Sequence, residues 1–217
     1  MRAWNKHHDD DIEGTKPTGF SEIVEVVGTF VMANLLWVVA SIPVVTMPAA
    51  TAGLFAVFVP WVRGQSVEPL AAFFGGMRRH WRKATVVALI DLAIGAFVTL
   101  NLLILRQMGL GQILALLSLS LTVTMAVLAL GVNVYAWPLL ILQDLPVRNL
   151  LQNALKLALV HPGWTILVLA AAAVPLLLSL FLPQAVFLTL SFSTSALITT
   201  WGAWRVIRRY LGEPHQE

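Results

Sequence analysis

The chain has 217 residues, of which 58% are hydrophobic and 12% charged, with a formal net charge of +3. An average soluble domain carries roughly 25% charged residues, so this composition excludes an ordinary soluble fold and points to a polytopic helical membrane protein. The chain contains no cysteine, which excludes disulfides, thiolate metal sites and a cysteine nucleophile.

The first 22 or so residues are polar, and Asp9, Asp10 and Asp11 make them acidic. A cleaved signal peptide would open on a basic segment and reach its apolar run sooner. Residues 1–20 are expected to be a flexible cytoplasmic tail, as are residues 210–217. Together they flank a single transmembrane domain over 21–209. His7 and His8 beside the aspartates offer donors for a metal, but a solvated terminus explains them as well. No metal site and no cofactor is expected.

Between Glu25 and Arg63 lie 37 residues without an ionisable side chain. As one helix they would extend about 55 Å, against a hydrocarbon core of about 30 Å. Ser41-Ile42-Pro43 and Thr46-Met47-Pro48 put turn chemistry in the middle. The stretch therefore predicts a hairpin of two spans, Ile23–Ile42 and a second that starts at Val44 or at Ala49 and ends at Val62. A β-barrel would need alternating segments of about 10 residues, whereas these apolar runs are long and continuous.

Four more spans follow: Ala84–Leu105, Gly111–Leu140, Trp164–Leu182 and Gln184–Trp204. Pro138 is expected to bend or end the fourth span, because it removes a helix hydrogen bond. Pro183 with Gln184 marks the last hairpin turn. With the amino terminus inside, 13 of the 14 Lys and Arg residues fall on the inner side and only Arg106 falls outside. Such a bias sets orientation. It predicts a six-span protein of the bacterial inner (cytoplasmic) membrane with both termini cytoplasmic. Trp61, Trp81, Trp137, Trp164, Trp201 and Trp204 lie near the inner ends, where indole rings favour the interface. The positive charge then reports orientation and contact with the lipid bilayer and implies no nucleic acid.

The two larger inner loops carry helical periodicity. Leu70, Phe73, Phe74, Met77 and Trp81 share one helix face, with Arg78, Arg79, Arg82 and Lys83 at its carboxyl end. Val147, Leu150, Leu151, Ala154, Ala158 and Leu159 form a second stripe, opposite Arg148, Asn149, Gln152, Asn153 and Lys156. Asp144 stands at an N-cap position with Pro146 just after it. Both segments are expected as interfacial amphipathic helices, serving as membrane anchors or as a partner surface centred on Arg78, Arg79, Arg82, Lys83, Arg148 and Lys156. The two regions also resemble one another. A proline precedes each (Pro60, Pro138), a His-Trp pair follows (His80-Trp81; His161 and Trp164), and then a threonine (Thr85, Thr165). This suggests a parallel duplication.

Asp91 is the acidic residue set deepest in a span, and an intramembrane carboxyl is costly enough to be a functional candidate. It either hydrogen-bonds a neighbouring helix or contacts a proton or substrate. Asn34, Asn101 and Asn133 are the other strongly polar intramembrane residues, suited to interhelical hydrogen bonds or to a ligand. Catalytic constellations are absent from the sequence. There is no His-x-x-x-His pair on a helix, no nucleophile elbow, and Gly75-Gly76 lacks the Lys-Ser/Thr of a phosphate loop. No enzymatic activity is expected.

Asn34-Leu35-Leu36-Trp37, Ile42-Pro43-Val44-Val45-Thr46 and Ala50-Thr51-Ala52-Gly53-Leu54 resemble the signature of the YesL family, membrane proteins classed as a domain of unknown function. Arg63-Gly64, Trp81-Arg82-Lys83-Ala84-Thr85, Tyr135-Ala136-Trp137-Pro138 and the run Asn153 to Pro162 resemble further family segments, so that the likeness covers residues 20–205. The family motif maps onto Asn34, Trp37, Pro43, Thr46, Pro48 and Thr51. Where the family usually has Gly-Pro-Ala, this chain has Pro48-Ala49-Ala50. Family members are often encoded beside carbohydrate ABC-transporter components. The resemblance thus implies an accessory role with permease subunits as partners. The rival expectation is a small stand-alone transporter or channel with Asp91 as its proton or substrate contact. A second copy of the chain is a further candidate partner.

Overall fold

The computed structural model describes residues 19–107, 112–179 and 184–211. Seven α-helices account for nearly all of them: α1 Gly19–Ser41, α2 Met47–Val62, α3 Pro69–Gln107, α4 Gln112–Leu142, α5 Val147–Val160, α6 Pro162–Ser179 and α7 Gln184–Leu211. A single 3₁₀ turn, Val44–Thr46, joins α1 to α2. The histidines and aspartates of the amino-terminal tail, and Pro183, lie outside the described residues.

Among the described residues four helices are long and apolar enough to cross a bilayer, within Val44–Val62, Pro69–Gln107, Ile113–Leu142 and Pro162–Ser179, and α1 adds a shorter apolar stretch over Val26–Ser41. In the apolar windows of α3 and α4 only 6% of residues are buried within the protein. Leu92 is 68% exposed, Leu121 69% and Ile113 76%. A water-soluble protein rarely tolerates apolar exposure on this scale, whereas lipid tails accept it at no cost.

The helical hairpin α1–α2 closes as the uncharged stretch predicts. Phe30 of α1 lies 5.3 Å from Phe58 and 5.5 Å from Trp61 of α2, ring centre to ring centre. The second helix begins at Met47, between the two starts that the sequence allows, and Pro48 occupies its first turn. There the missing N–H costs nothing. Gly64 ends the helix with a φ of +75°, a conformation that suits glycine. Its N–H and that of Arg63 return to the carbonyls of Trp61 and Pro60.

Four expectations are corrected. The amphipathic segment 70–81 is not a separate helix, since it forms the first third of the 39-residue α3. Nothing between Met77 and Thr85 can stop a helix: the stretch has no proline or glycine and is rich in Arg, Lys and Ala. The corresponding boundary in the second half does break, at His161 (φ −123°, ψ 56°), because Pro162 bars the residue before it from the α region. The suggested duplication therefore stops at this junction. Pro138 stays inside α4, which continues to Leu142, so of the two expected effects, a bend or an end, only the second is excluded. The third correction is that α7 continues past Trp204 to Leu211.

The fourth correction concerns Asp144. The cap position of α5 is Pro146, without a side-chain cap, and Asp144 instead pairs with Lys83 of α3. The hydrogen bond and charge of Lys83 hold the Asp144 carboxyl below the usual carboxylate range. A depressed folded value makes the pair's contribution present above the unfolded carboxylate pKa of about 3.9, and lost as pH falls through the lower folded one. Asp144→Asn is therefore expected to lower the melting temperature slightly at neutral pH, the pair being solvent-exposed. The gap from the parent should narrow as pH falls below the ordinary carboxylate range, as melts in detergent would register.

The core forms where the helices converge. One cluster joins Ala84 and Val87 of α3, Val134, Tyr135 and Leu139 of α4, Leu150 and Ala154 of α5, and Ala203 and Ile207 of α7. A second joins Ala33 and Trp37 of α1 to Leu54, Val57 and Phe58 of α2 and Phe73 of α3. The α5 stripe thus packs onto protein: Leu150, Ala154 and Ala158 are buried, with Ala158 against Gly131 of α4. Leu159, counted on that stripe in the sequence, is exposed.

Candidate functional site

Each of the three candidate asparagines bridges two helices. Asn34 of α1 is fully buried, and its Oδ1 accepts from the backbone N–H (3.1 Å) and hydroxyl (3.3 Å) of Ser193 in α7. Asn101 of α3 donates to Ser118 Oγ of α4 at 3.1 Å, and also to Thr122. Asn133 of α4 donates from Nδ2 to Asp91 Oδ1 of α3 at 2.8 Å.

The Asp91 arrangement has a fixed direction. Trp137 Nε1, which can only donate, gives its hydrogen to Asn133 Oδ1 at 2.9 Å. That sets the amide orientation, so Nδ2 must face Asp91 and the carbonyl of Ala129, 3.1 Å away. Trp137 itself stacks on Phe55 of α2, with ring centres 6.0 Å apart. A chain of contacts therefore runs from α2 through α4 to the carboxyl group on α3. Asp91 lines a cavity of about 450 Å³ between α3, α4 and α5. Its walls are apolar, formed by Ile94, Leu128, Leu151 and Leu155 among others, with Thr124 the other polar side chain. A carboxyl group in such surroundings can hold a proton or face a cation.

The residues of the sequence motif serve the hairpin. Trp37 Nε1 donates to Thr51 Oγ1 at 3.1 Å, whose own hydroxyl donates to the Met47 carbonyl at 2.9 Å. The Trp37 ring stacks on Phe192 of α7 at 4.0 Å. Thr46 Oγ1 lies 2.5 Å from the Ala40 carbonyl and 2.7 Å from that of Pro43, tying the 3₁₀ turn to the end of α1. Pro43 stands at the N-cap of that turn. These contacts fix packing and chain reversal, and none of them opens a pocket.

The basic candidates divide. Arg78, Arg79 and Arg82 are exposed on α3, as are Arg148 and Lys156 on α5, whereas Lys83 is engaged by Asp144. Arg82 lies over the ring of Trp81 at 5.2 Å, and Arg205 over those of Trp164 and Trp201 at 5.3 and 5.6 Å. Cation–π contact of this kind keeps the arginines beside the interfacial tryptophans. Leu70, Phe74, Arg78, Trp81 and Arg82 are all exposed, and their spacing puts them on one stripe of α3.

Several polar contacts join residues that no local pattern connects. Tyr135 and Thr165 share a buried hydrogen bond of 3.1 Å. His161 Nε2 meets the Tyr210 hydroxyl at 3.0 Å. The only hint in the sequence is that the chain's two tyrosines fall beside predicted inner helix ends. Among the described residues no group of three or more His, Asp or Glu side chains is placed to hold a metal.

Residues 30–102 match the family model described as "Protein of unknown function, DUF624". Over 152 residues the chain is 28% identical to "Uncharacterized protein YesL" of Bacillus subtilis (strain 168), a match covering 68% of this chain and 70% of that protein. No solved structure matches the chain.

Proposed function

We propose that the chain is a YesL-family protein and a non-enzymatic accessory protein of the bacterial inner membrane, docked through its inner-face helices on a carbohydrate importer of the ABC type. It spans the membrane six times with both termini cytoplasmic. The charge distribution of the sequence supports that orientation, and the gene neighbourhood typical of the family supports the class of partner.

The observation that carries the proposal is the form of α3. Its 39 residues extend about 58 Å, whereas the hydrocarbon core takes only about 30 Å. The amino-terminal part is therefore surplus to a single crossing; as a rigid continuation of the helix it packs on α2 through Phe73 and Gly76 and leaves its opposite stripe uncovered. It carries Leu70, Phe74, Arg78, Trp81 and Arg82 outward. Aromatic and arginine side chains together are the usual anchors of a protein interface.

The test is co-purification in mild detergent. The parent protein is expected to bring down permease subunits. A Phe74→Glu, Arg78→Glu variant should retain less than about a tenth of them, equivalent to about 1.4 kcal/mol, with an unchanged melting profile. Recovery of no permease, with activity of the protein alone in liposomes, would reject the proposal.

The Asp91 cavity favours a second reading, a stand-alone transporter or channel. Flux in proteoliposomes that Asp91→Asn abolishes would support it, and unchanged flux would remove Asp91 from any mechanism.

A further inference from the structure

A second cavity, of about 460 Å³, lies between the carboxyl-terminal parts of α4 and α7 and one face of α5. Leu139 and Ile207 form its floor, and Gln143, Asn153, Lys156 and Tyr210 supply its polar lining. Among the described residues no carboxylate lines it. Lys156 makes no ion pair among the described residues, and the Tyr210 hydroxyl is held by His161. The carbonyl ends of α4 and α7 lie on this side and disfavour an anion, each by about half a charge. Lys156, with Arg208 and Arg209 in the last turn of α7, opposes them with three full positive charges.

We propose that this cavity binds the phosphodiester headgroup of an anionic phospholipid. The ammonium group of Lys156 meets the phosphate, and the amides of Gln143 and Asn153 and the hydroxyl of Tyr210 donate to its oxygens or to the polar part of the headgroup. The first methylenes of the acyl chains rest on Leu139 and Ile207. A soluble phosphate ester offers the same oxygens but nothing for that apolar floor, and a neutral sugar leaves Lys156 without a partner. The amphiphile answers both features at once. Lys156 is well suited to the task, since its own methylene stem lies along apolar surface while the charge reaches the phosphate.

Native mass spectrometry of the full chain in detergent tests this. The probes are short-chain phosphatidylglycerol, the matching phosphatidylcholine, and glycerol phosphate as a competitor without chains. Phosphatidylglycerol should be retained over phosphatidylcholine. Lys156→Gln should weaken that retention about tenfold, the loss of one charge-assisted contact. Arg106→Gln, which removes an equal charge at the far end of α3, outside the cavity, should leave it unchanged, and glycerol phosphate should not displace the lipid. Equal retention of the two lipids, or equal effects of Lys156→Gln and Arg106→Gln, would overturn the site. Displacement by glycerol phosphate at the same concentration would overturn the lipid as its occupant. The experiment contains no importer, so its outcome is separate from that of the docking proposal.

Discussion

Gly76→Ala is expected to destabilise the protein by about 2 kcal/mol, while Gly75→Ala, one residue earlier, is expected to be neutral or to stabilise it by up to about 1 kcal/mol. In a free helix both changes would help, since glycine is the poorer helix former. The packing reverses the sign at one of them. A methyl group at position 76 would stand 2.2 Å from Ala56 Cβ and 3.4 Å from the Ala52 carbonyl and Gly53 Cα. Those atoms belong to the backbone or first side-chain atom of α2, so no rotamer change can relieve the clash. A methyl at position 75 meets nothing within 4 Å. The contact that Gly76 permits lets α2 and α3 approach through Ala52, Gly53 and Ala56, a stripe of small residues of the kind that brings membrane helices together. Melts of the two variants in the same detergent would decide the matter. Equal behaviour would mean that this close approach does not form.

Asn34→Leu should cost between about 1 and 2 kcal/mol. The side chain is fully buried and joins α1 to α7, across a sequence separation of 159 residues. Leucine fills a similar volume but leaves the buried Ser193 hydroxyl without its acceptor. Adding Ser193→Ala should recover part of the loss, because an apolar pair is better than half of a polar one. Additive losses in the double variant, measured by unfolding in mixed micelles, would contradict this coupling.

The helical membrane class was legible in the sequence because lipid imposes a one-dimensional rule, the uninterrupted apolar run. Asn34, Asn101, Asn133 and Asp91 stood out for the same reason, polarity at depth, and the structure joins each to a neighbouring helix. What periodicity leaves open is where an apolar stripe goes. Leu150, Ala154 and Ala158 have the spacing of a helix lying on lipid and also of one packed on protein, and here they pack on protein. Helix continuity is equally hidden from a pattern of basic and apolar residues. Arg82 and Lys83 suggested an interface but do not interrupt a helix, so α3 runs on past them. Asp144 illustrates a third limit. Its position suits a cap, but Lys83 lies 61 residues earlier in the chain, and only the tertiary fold brings the two together. Tyr210 and Lys156 escaped notice as parts of one cavity on the same ground.

The exposed stripe at the amino-terminal part of α3 as a docking surface is the central claim, and photo-crosslinking in living cells tests it most directly. A photoreactive residue placed at Phe74 or Arg78 is expected to form adducts with importer permease subunits, while the same residue at Leu92, on the lipid-facing part of α3, is expected to form none. Permease adducts from Leu92 but none from Phe74 or Arg78 would contradict the account, as would the absence of permease adducts at all three positions.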